Sequence, residues 1–360
     1  MSKIKIDIQF IDTSDWQELS WYSSGGTRAK KILQAPEGAE YYFKCSEKKL
    51  DENGNLIKEY KYEFWNEIIA YQLGKALGLN ILRYDLAIFG NEIGCLSPKM
   101  NKTDDEQLIE VGRFMTALNE KFLPENNKAR KEYTFQLLEK TIKEFNLSKY
   151  WELFFQTLLF DAIIGNTDRH QENWAFLGKT TFFEKGLELA KADIVKKRNA
   201  ETFLFLKNLF KKEKEKLNPE LYGKNLKLVD SNINSFAPIY DSGSSLVREL
   251  LDSKIDHFLN NEDALEKYIN KGFAELHWNK EKLNHFLLVE NLLKSSYIEV
   301  VKKSARFLEN WNEDLVSLIL NNLDKDLPEK WHDFRIPNNR KNLITKIVSL
   351  RSEKLKNLLK

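Results

Sequence analysis

The stretch that most constrains this chain is YWELFFQTLLFDAIIGN, residues 150–166, where apolar residues occupy nearly every side of a helix instead of one stripe. Such a helix has no face to give to water. It is expected inside the protein, ending where Gly165 can adopt a left-handed C-cap. The chain continues as TDRHQENWAFL, which places Asp168, Arg169, His170, Glu172 and Asn173 just beyond this buried segment. Leaving those charges unpaired there would cost roughly several kcal/mol. Either they pair with each other, as in an Asp–Arg bridge pinning the loop, or they face a cleft.

A buried helix needs a core around it, and the composition supplies one: 42% of the 360 residues are hydrophobic, with 23 Phe and 8 Trp. The length is better accommodated by two lobes or domains than by one minimal core. The 56 basic and 54 acidic residues nearly cancel, so global charge neither predicts nor excludes a nucleic-acid partner; direct nucleic-acid binding is not expected. Cys45 and Cys95 lack the number and spacing for a disulfide framework or a zinc site, which suggests a reducing, cytoplasmic setting. The opening MSKIKIDIQF has no apolar signal-peptide core. No run of eighteen uncharged apolar residues occurs, so no membrane span is expected.

Residues 1–100 read as a small sheet with one helix. The alternation Ile4, Ile6, Ile8, Phe10 suits a half-buried strand, and EYYFKC at 40–45 suits another. Apolar residues at helical spacing predict a helix over 63–77, closed by Gly78, and LRYDLAIFG and EIGCLSPKM predict two strands joined at Gly90 and Asn91. From residue 101 to 360 helical patterning dominates, with segments near 105–120, 130–146, 149–164, 284–310 and 340–359. A Lys-rich helical insertion is expected over 179–230, where Phe203, Leu206 and Phe210 would supply one face and the run Lys211–Lys216 a solvated surface. The fold class is therefore α+β, a small N-terminal lobe with an antiparallel sheet and one helix followed by a larger, mainly helical lobe.

Asn173 lies five residues after Asp168, the D-x-x-x-x-N spacing by which kinases hold a hydroxyl-orienting carboxylate and a magnesium-binding amide on one loop. Asp and Asn are common, so the pair needs company. APIYDSGSSL offers Asp241 and Gly243 after the strand-like Ile239 and Tyr240, a second metal ligand or an ordinary turn Asp. SSGGTRAK can lay backbone N–H groups along a triphosphate because Gly25 and Gly26 permit close approach, or it can be a plain hairpin turn. Lys44, opposite Phe43 on the next strand, needs a carboxylate, and Glu67 on the following helix is the natural one. A surface-pair reading holds for each residue separately, but it does not explain their order.

In that order the sequence resembles the HipA-like serine/threonine kinases, a bacterial family related in fold to protein kinases and phosphoinositide kinases. The resemblance runs from about residue 20 to 300 and is most specific at GNTDRHQENWAFL, APIYDSGSSL and NEIIAYQLGKALGLN. It implies a bilobal kinase-like fold, ATP and Mg²⁺ as cofactors, Lys44 as the phosphate-binding Lys and Glu67 as its partner. It further implies Asp168 as catalytic base, Asn173 and Asp241 as metal ligands, and His170 as a donor to the transferred phosphoryl group or a loop-stabilising residue. Ser23, Ser24, Gly25, Gly26 and Thr27 would line the nucleotide, with Ser23 and Ser24 as candidate autophosphorylation sites. CLSPKM, including Lys99 and Met100, looks like the hinge that meets adenine. The Gly-rich loop begins near residue 23, which corresponds to a compact form without the extra N-terminal subdomain of the namesake toxin. The Asn173–Asp241 separation is longer than the family usually shows, and the Lys-rich insertion fills it.

The resulting expectation is an ATP- and magnesium-dependent protein kinase acting on a Ser/Thr hydroxyl. The family implies a toxin with a helix-turn-helix antitoxin partner, or an effector kinase delivered to a host. A lipid or small-molecule kinase is the second reading, and a non-catalytic binding module the third.

Overall fold

The computed structural model describes residues 6–19, 30–53, 56–119, 122, 131–196, 227–312 and 314–360. Its N-terminal part is built on strands β1 (Phe10–Asp12), β2 (Gln17–Glu18), β3 (Lys31–Gln34), β4 (Glu40–Cys45), β7 (Asp85–Phe89) and β8 (Glu92–Pro98). They form a six-stranded sheet in the order β1-β7-β8-β4-β3-β2. The β1–β7 pair is parallel and the others are antiparallel. Strands β5 (Lys48–Leu50) and β6 (Leu56–Glu59) make a separate two-stranded ribbon.

Helix α1 (Glu63–Ala76) packs across β4, β7 and β8. Its end follows the expected chemistry: Gly78 has φ +82°, and Leu79 N donates to Gly74 O at 2.9 Å. At Gly94 an added Cβ would lie 2.2 Å from the Lys44 carbonyl oxygen. Glycine there lets β8 close onto β4 beside Lys44, fixing the register Lys44↔Cys95.

The N-terminal alternation yields less strand than its pattern predicts. Only Phe10–Asp12 is strand; before it the ladder is reduced to Leu86 N donating to Gln9 O at 3.0 Å, and side chains take over, with Gln9 N donating to Asp85 Oδ1 at 3.2 Å and Gln72 Nε2 to Asp7 O at 3.0 Å. Ile6 and Ile8 still pack on the core. Ile4 lies outside the described residues.

The helix expected over 105–120 is half strand. Glu106–Glu110 forms β9, and helix α2 starts only at Val111 and ends at Leu118. The reason is a distant partner: β9 pairs with β10 (Ala175–Lys179), which in turn pairs with β11 (Ile233–Phe236). Local periodicity carries no trace of such a partner. Ile239 and Tyr240, read as strand-like, make only an isolated bridge from Ile239 to Ile81.

Helix α3 (Phe135–Glu144) is capped by Thr134 Oγ1, and α4 (Trp151–Ile164) is the buried post, with Phe154, Phe155 and Phe160 fully enclosed. Of the insertion, α5 (Thr180–Lys196) is helical as expected. Phe203, Leu206, Phe210 and Lys211–Lys216 lie outside the described residues.

Further along the described residues run the α-helices α6 (Asp252–Asn260), α7 (Glu262–Asn270), α8 (His285–Leu293), α9 (Ile298–Ser304), α10 (Asp314–Leu323) and α11 (Asn338–Leu359). The segment 284–310, expected as one helical run, is broken into α8, α9 and a 3₁₀ turn at Ala305–Asn310. Ser295 ends α8: its Oγ donates to Leu292 O at 2.6 Å and accepts from Tyr297 N at 3.2 Å. No helix among the described residues is long and apolar enough to cross a membrane.

Candidate active site

Strand alternation on β4 sends Phe43 into a small apolar cluster and leaves Lys44 for the opposite face. There its Nζ lies 3.3 Å from Glu67 Oε1 and 2.7 Å from Asp241 Oδ1. Burial disfavours the charge on Lys44, but Asp241 and then Glu67 outweigh it and hold the ammonium well above its ordinary pKa. Burial pushes the Glu67 carboxyl up, against the opposing pull of Lys44. Glu67 also reaches the segment that follows Asp241, because its Oε2 accepts from Ser242 N at 2.8 Å. Asn66 adds Nδ2 donations to Gly243 O at 3.3 Å and Ser245 O at 2.7 Å. Helix α1 thus grips both Lys44 and the chain after Asp241.

Asp241 sits at φ +55°, a left-handed conformation that Asp tolerates better than most residues and that recurs at functional sites. Gly243 gives the room for this: a Cβ there would lie 3.2 Å from Glu67 Oε1 and 3.3 Å from Glu63 Cγ.

The catalytic loop candidate begins where α4 stops at Gly165, φ +70°. Asn166 Nδ2 donates to Asp161 Oδ1 at 3.1 Å, and its Oδ1 accepts from Asp168 N, also at 3.1 Å. Asn173 Nδ2 donates to Asp168 O at 2.9 Å, closing the five-residue loop on itself. That bond uses the amide nitrogen and leaves the carbonyl oxygen Oδ1 as the group suited to a cation. Asp168 Oδ2 accepts from Ser244 Oγ at 3.3 Å, so the loop carboxylate and the segment after Asp241 are adjacent.

The two alternatives for the loop charges are resolved separately. Arg169 does not bridge to Asp168; it is buried and forms its ion pair with Asp161, inside α4, at 2.9 Å. Burial opposes its charge, and Asp161 reverses the sign and raises it. Its other nitrogens donate to Asn173 O at 3.3 Å, to Ser242 Oγ at 3.3 Å and to the Tyr240 carbonyl. One guanidinium therefore ties α4, the loop and the chain on both sides of Asp241 together. Asp168 is half-buried. His170 Nδ1 accepts from Glu172 N at 3.3 Å, which leaves Nε2 as the ring's donor.

Lys99 and Met100 differ in placement. Lys99 Nζ pairs with Glu40 at 2.7 Å, so its side chain is committed to the first residue of β4 instead of the Lys44 cluster. Met100 packs with Leu108 and Tyr240 against Ala175, Leu177 and Ala237, next to the residue that precedes Asp241. Ser23, Ser24, Gly25, Gly26 and Thr27 lie outside the described residues.

The structure adds residues that spacing did not single out. Asp161 was hidden within an apolar helix, where only its charge among Leu, Phe and Ile marked it. Lys30, the last residue of SSGGTRAK, joins the site electrostatically: burial and Lys44 lower its pKa, while Asp241, Glu110 and Glu172 attract its ammonium. Tyr84 OH accepts from Asp241 N at 3.3 Å.

For a divalent cation the donors present are oxygens, the Asn173 amide and the Asp241 carboxylate. These suit Mg²⁺, which keeps water and takes phosphate oxygens beside one or two protein ligands. No cluster of three or more His, Cys, Asp or Glu able to hold a metal occurs among the described residues. The fit is to an ion shared with a phosphate-bearing substrate.

Comparison with known proteins bears on the family and the fold. The model of the family described as HipA-like C-terminal domain matches residues 22–306. The crystal structure of the Helicobacter pylori proinflammatory kinase CtkA superimposes with a TM-score of 0.66 at 17% identity, covering 98% of this chain and 96% of that one. The fold is thus kinase-like. The HipA chain of a Shewanella oneidensis MR-1 toxin–antitoxin complex with HipB and operator DNA gives a TM-score of 0.45 at 12% identity, covering 93% of this chain and 65% of that one. No curated protein matches in sequence.

Proposed function

This chain belongs to the HipA-like C-terminal domain family, and we propose that within it the protein is an ATP- and magnesium-dependent kinase that phosphorylates Ser/Thr hydroxyls of a protein. The carrying observation is Lys44 held between Glu67 at 3.3 Å and Asp241 at 2.7 Å, residues 23 and 197 positions away. Surface ion pairs do not require that convergence, whereas phosphoryl transfer does.

In this reading Lys44 exchanges part of its pairing for the α- and β-phosphates, and Glu67 keeps it oriented. Asn173 Oδ1 and Asp241 would hold Mg²⁺, which when bound neutralises charge on the phosphates. Asp168 accepts a hydrogen bond from the acceptor hydroxyl and orients it for attack on the γ-phosphorus. His170 Nε2 is the remaining donor on the loop for the transferred group. Arg169 touches none of the reacting atoms and acts by fixing the backbone that carries Asn173 and Asp241.

Family membership also supports a toxin role with a helix-turn-helix antitoxin, or an effector role, and autophosphorylation at Ser23 or Ser24. Incubation with γ-labelled ATP and a cell extract tests the core reading. Label enters protein in the wild type and is lost in Asp168→Ala and Asp241→Ala. Full activity in both variants overturns the assignment, and transfer to inositol lipid alone moves the substrate class from protein to lipid.

A further inference from the structure

A cavity of about 540 Å³ opens between the start of the catalytic loop, the segment Ser245–Leu250 after the metal-ligand Asp, and helices α7 and α11. Its volume lies within the usual range for small-molecule sites. Gly165 and Thr167 line it, whereas Lys44, Glu67, Asp168, Asn173 and Asp241 do not. It is a separate chamber that shares a wall with the loop.

That chamber contains Arg351, only 2% exposed. Two of its nitrogens serve helix ends: Nε donates to Ala162 O in α4 at 2.7 Å, and Nη1 to Ile269 O in α7 at 2.8 Å. Stapling two helix termini explains those bonds. It does not explain Nη2, which is buried without a hydrogen-bond partner among the described residues. Gly272, also in the lining, makes room for it, since a Cβ there would lie 3.0 Å from Nη2.

No described carboxylate forms an ion pair with Arg351. The lining carboxylate, Glu249, accepts from Tyr268 OH at 2.7 Å. Burial pushes Arg351 down to about 10, so it remains a cation at neutral pH. Lys267 and Lys271 stand exposed at the rim and make no ion pair with a described residue. Three cations and one carboxylate thus line the cavity, which leaves its lining net positive.

The wall opposite in character is apolar, including Leu246, Val247, Phe258 and Ile347. Leu246 and Val247 have φ +50° and +59°, conformations that bulky and β-branched residues seldom adopt. Leu246 N donates to Ile164 O at 3.0 Å and Arg340 Nη1 to Val247 O at 3.1 Å, which hold the strained pair in place. Strain maintained in this way clusters at ligand clamps.

We propose that this cavity is a second ligand site, taking a small molecule with a carboxylate or phosphate monoester on an apolar body. The anionic head is received by the accessible ammonium groups of Lys267 and Lys271, with the buried Arg351 guanidinium behind the wall adding positive potential, and the body lies against Leu246, Phe258 and Ile347. This assignment does not rest on the kinase reading, because ATP turnover plays no part in its test.

Phenyl phosphate and phenylacetate serve as probes and benzyl alcohol as the neutral control, titrated calorimetrically into the full chain without nucleotide or metal. At least one anion binds saturably and benzyl alcohol does not. Arg351 itself joins two helices and its removal endangers folding, so the rim is tested instead: Lys267→Glu with Lys271→Glu weakens binding about tenfold or more. Ala264→Phe, which fills the cavity, abolishes it. Absence of saturable binding by either anion, equal binding of benzyl alcohol, or affinity that both variants leave unchanged overturns the proposal. Which of the two anions binds more tightly identifies the head group.

Discussion

Arg169 and Asp161 meet through two parallel hydrogen bonds, Nε to Oδ2 at 2.9 Å and Nη2 to Oδ1 at 3.0 Å. The pair joins the interior of an apolar helix to the loop that follows it. Arg169→Lys removes the fork that also reaches Asn173 and the Tyr240 carbonyl, and a lysine cannot replace bidentate geometry. Asp161→Asn leaves a buried guanidinium uncompensated and should lower stability by about 3–5 kcal/mol. Chemical denaturation of both variants, with label transfer for Arg169→Lys, measures these losses. Arg169→Lys is expected to fold but to lose most activity.

Lys44→Met tests the central cluster. It leaves Glu67, 3% exposed, and Asp241 without the cation that pairs with both. Activity should fall by at least about a hundredfold, on the scale of losing a positioned charge in an active site. The variant should also become more stable as the pH is lowered, because protonating Glu67 relieves the repulsion that Lys44 had screened. Unfolding midpoints across mildly acidic pH, compared with wild type, report this change of slope.

Gly243→Ala separates spacing from charge. Gly243 is not in a left-handed conformation, so the substitution acts through space alone, pressing on Glu67 Oε1 and Glu63 Cγ. The melting temperature should change little, while kcat falls at least about tenfold because the Asp241 segment is displaced. Steady-state kinetics beside a thermal melt distinguish this from general unfolding.

Buried His285 gives the fold a pH dependence of its own. Burial, with Arg351 nearby, lowers its pKa from 6.5 to about 3. In that window the unfolded chain binds a proton that the folded chain refuses, so stability is lost as pH falls below 6.5. Between pH 6.5 and pH 5 the loss should be about 2 kcal/mol, at ~1.4 kcal/mol per pH unit. Urea titrations of wild type and His285→Gln test this, with the glutamine variant expected to be flatter over that interval.

The elements that were legible in sequence are those whose pattern is local. The buried post ends at Gly165 and α1 ends before Gly78, since in both cases a left-handed residue closes a helix in a way that the sequence displays. The strands on either side of Gly90 and Asn91 formed as expected for the same reason. Glu106–Glu110 did not, because its partner Ala175–Lys179 lies more than sixty residues away and supplies the hydrogen bonds that convert an amphipathic stretch into strand.

Sequence by itself determined the candidate chemistry: which residue types occur, their order, and the five-residue interval between Asp168 and Asn173. Order restricts the family because a phosphate-transfer site needs a cation, its carboxylate, a loop acid and metal-binding oxygens. Tertiary structure alone decided the pairings. It chose Asp161 over Asp168 as the partner of Arg169, placed Lys44 against Asp241 across 197 positions, committed Lys99 to Glu40, and left Arg351 Nη2 buried without a hydrogen-bond partner among the described residues. Those choices follow from the cost of burying charge, which depends on what each side chain meets in space and not on its neighbours along the chain.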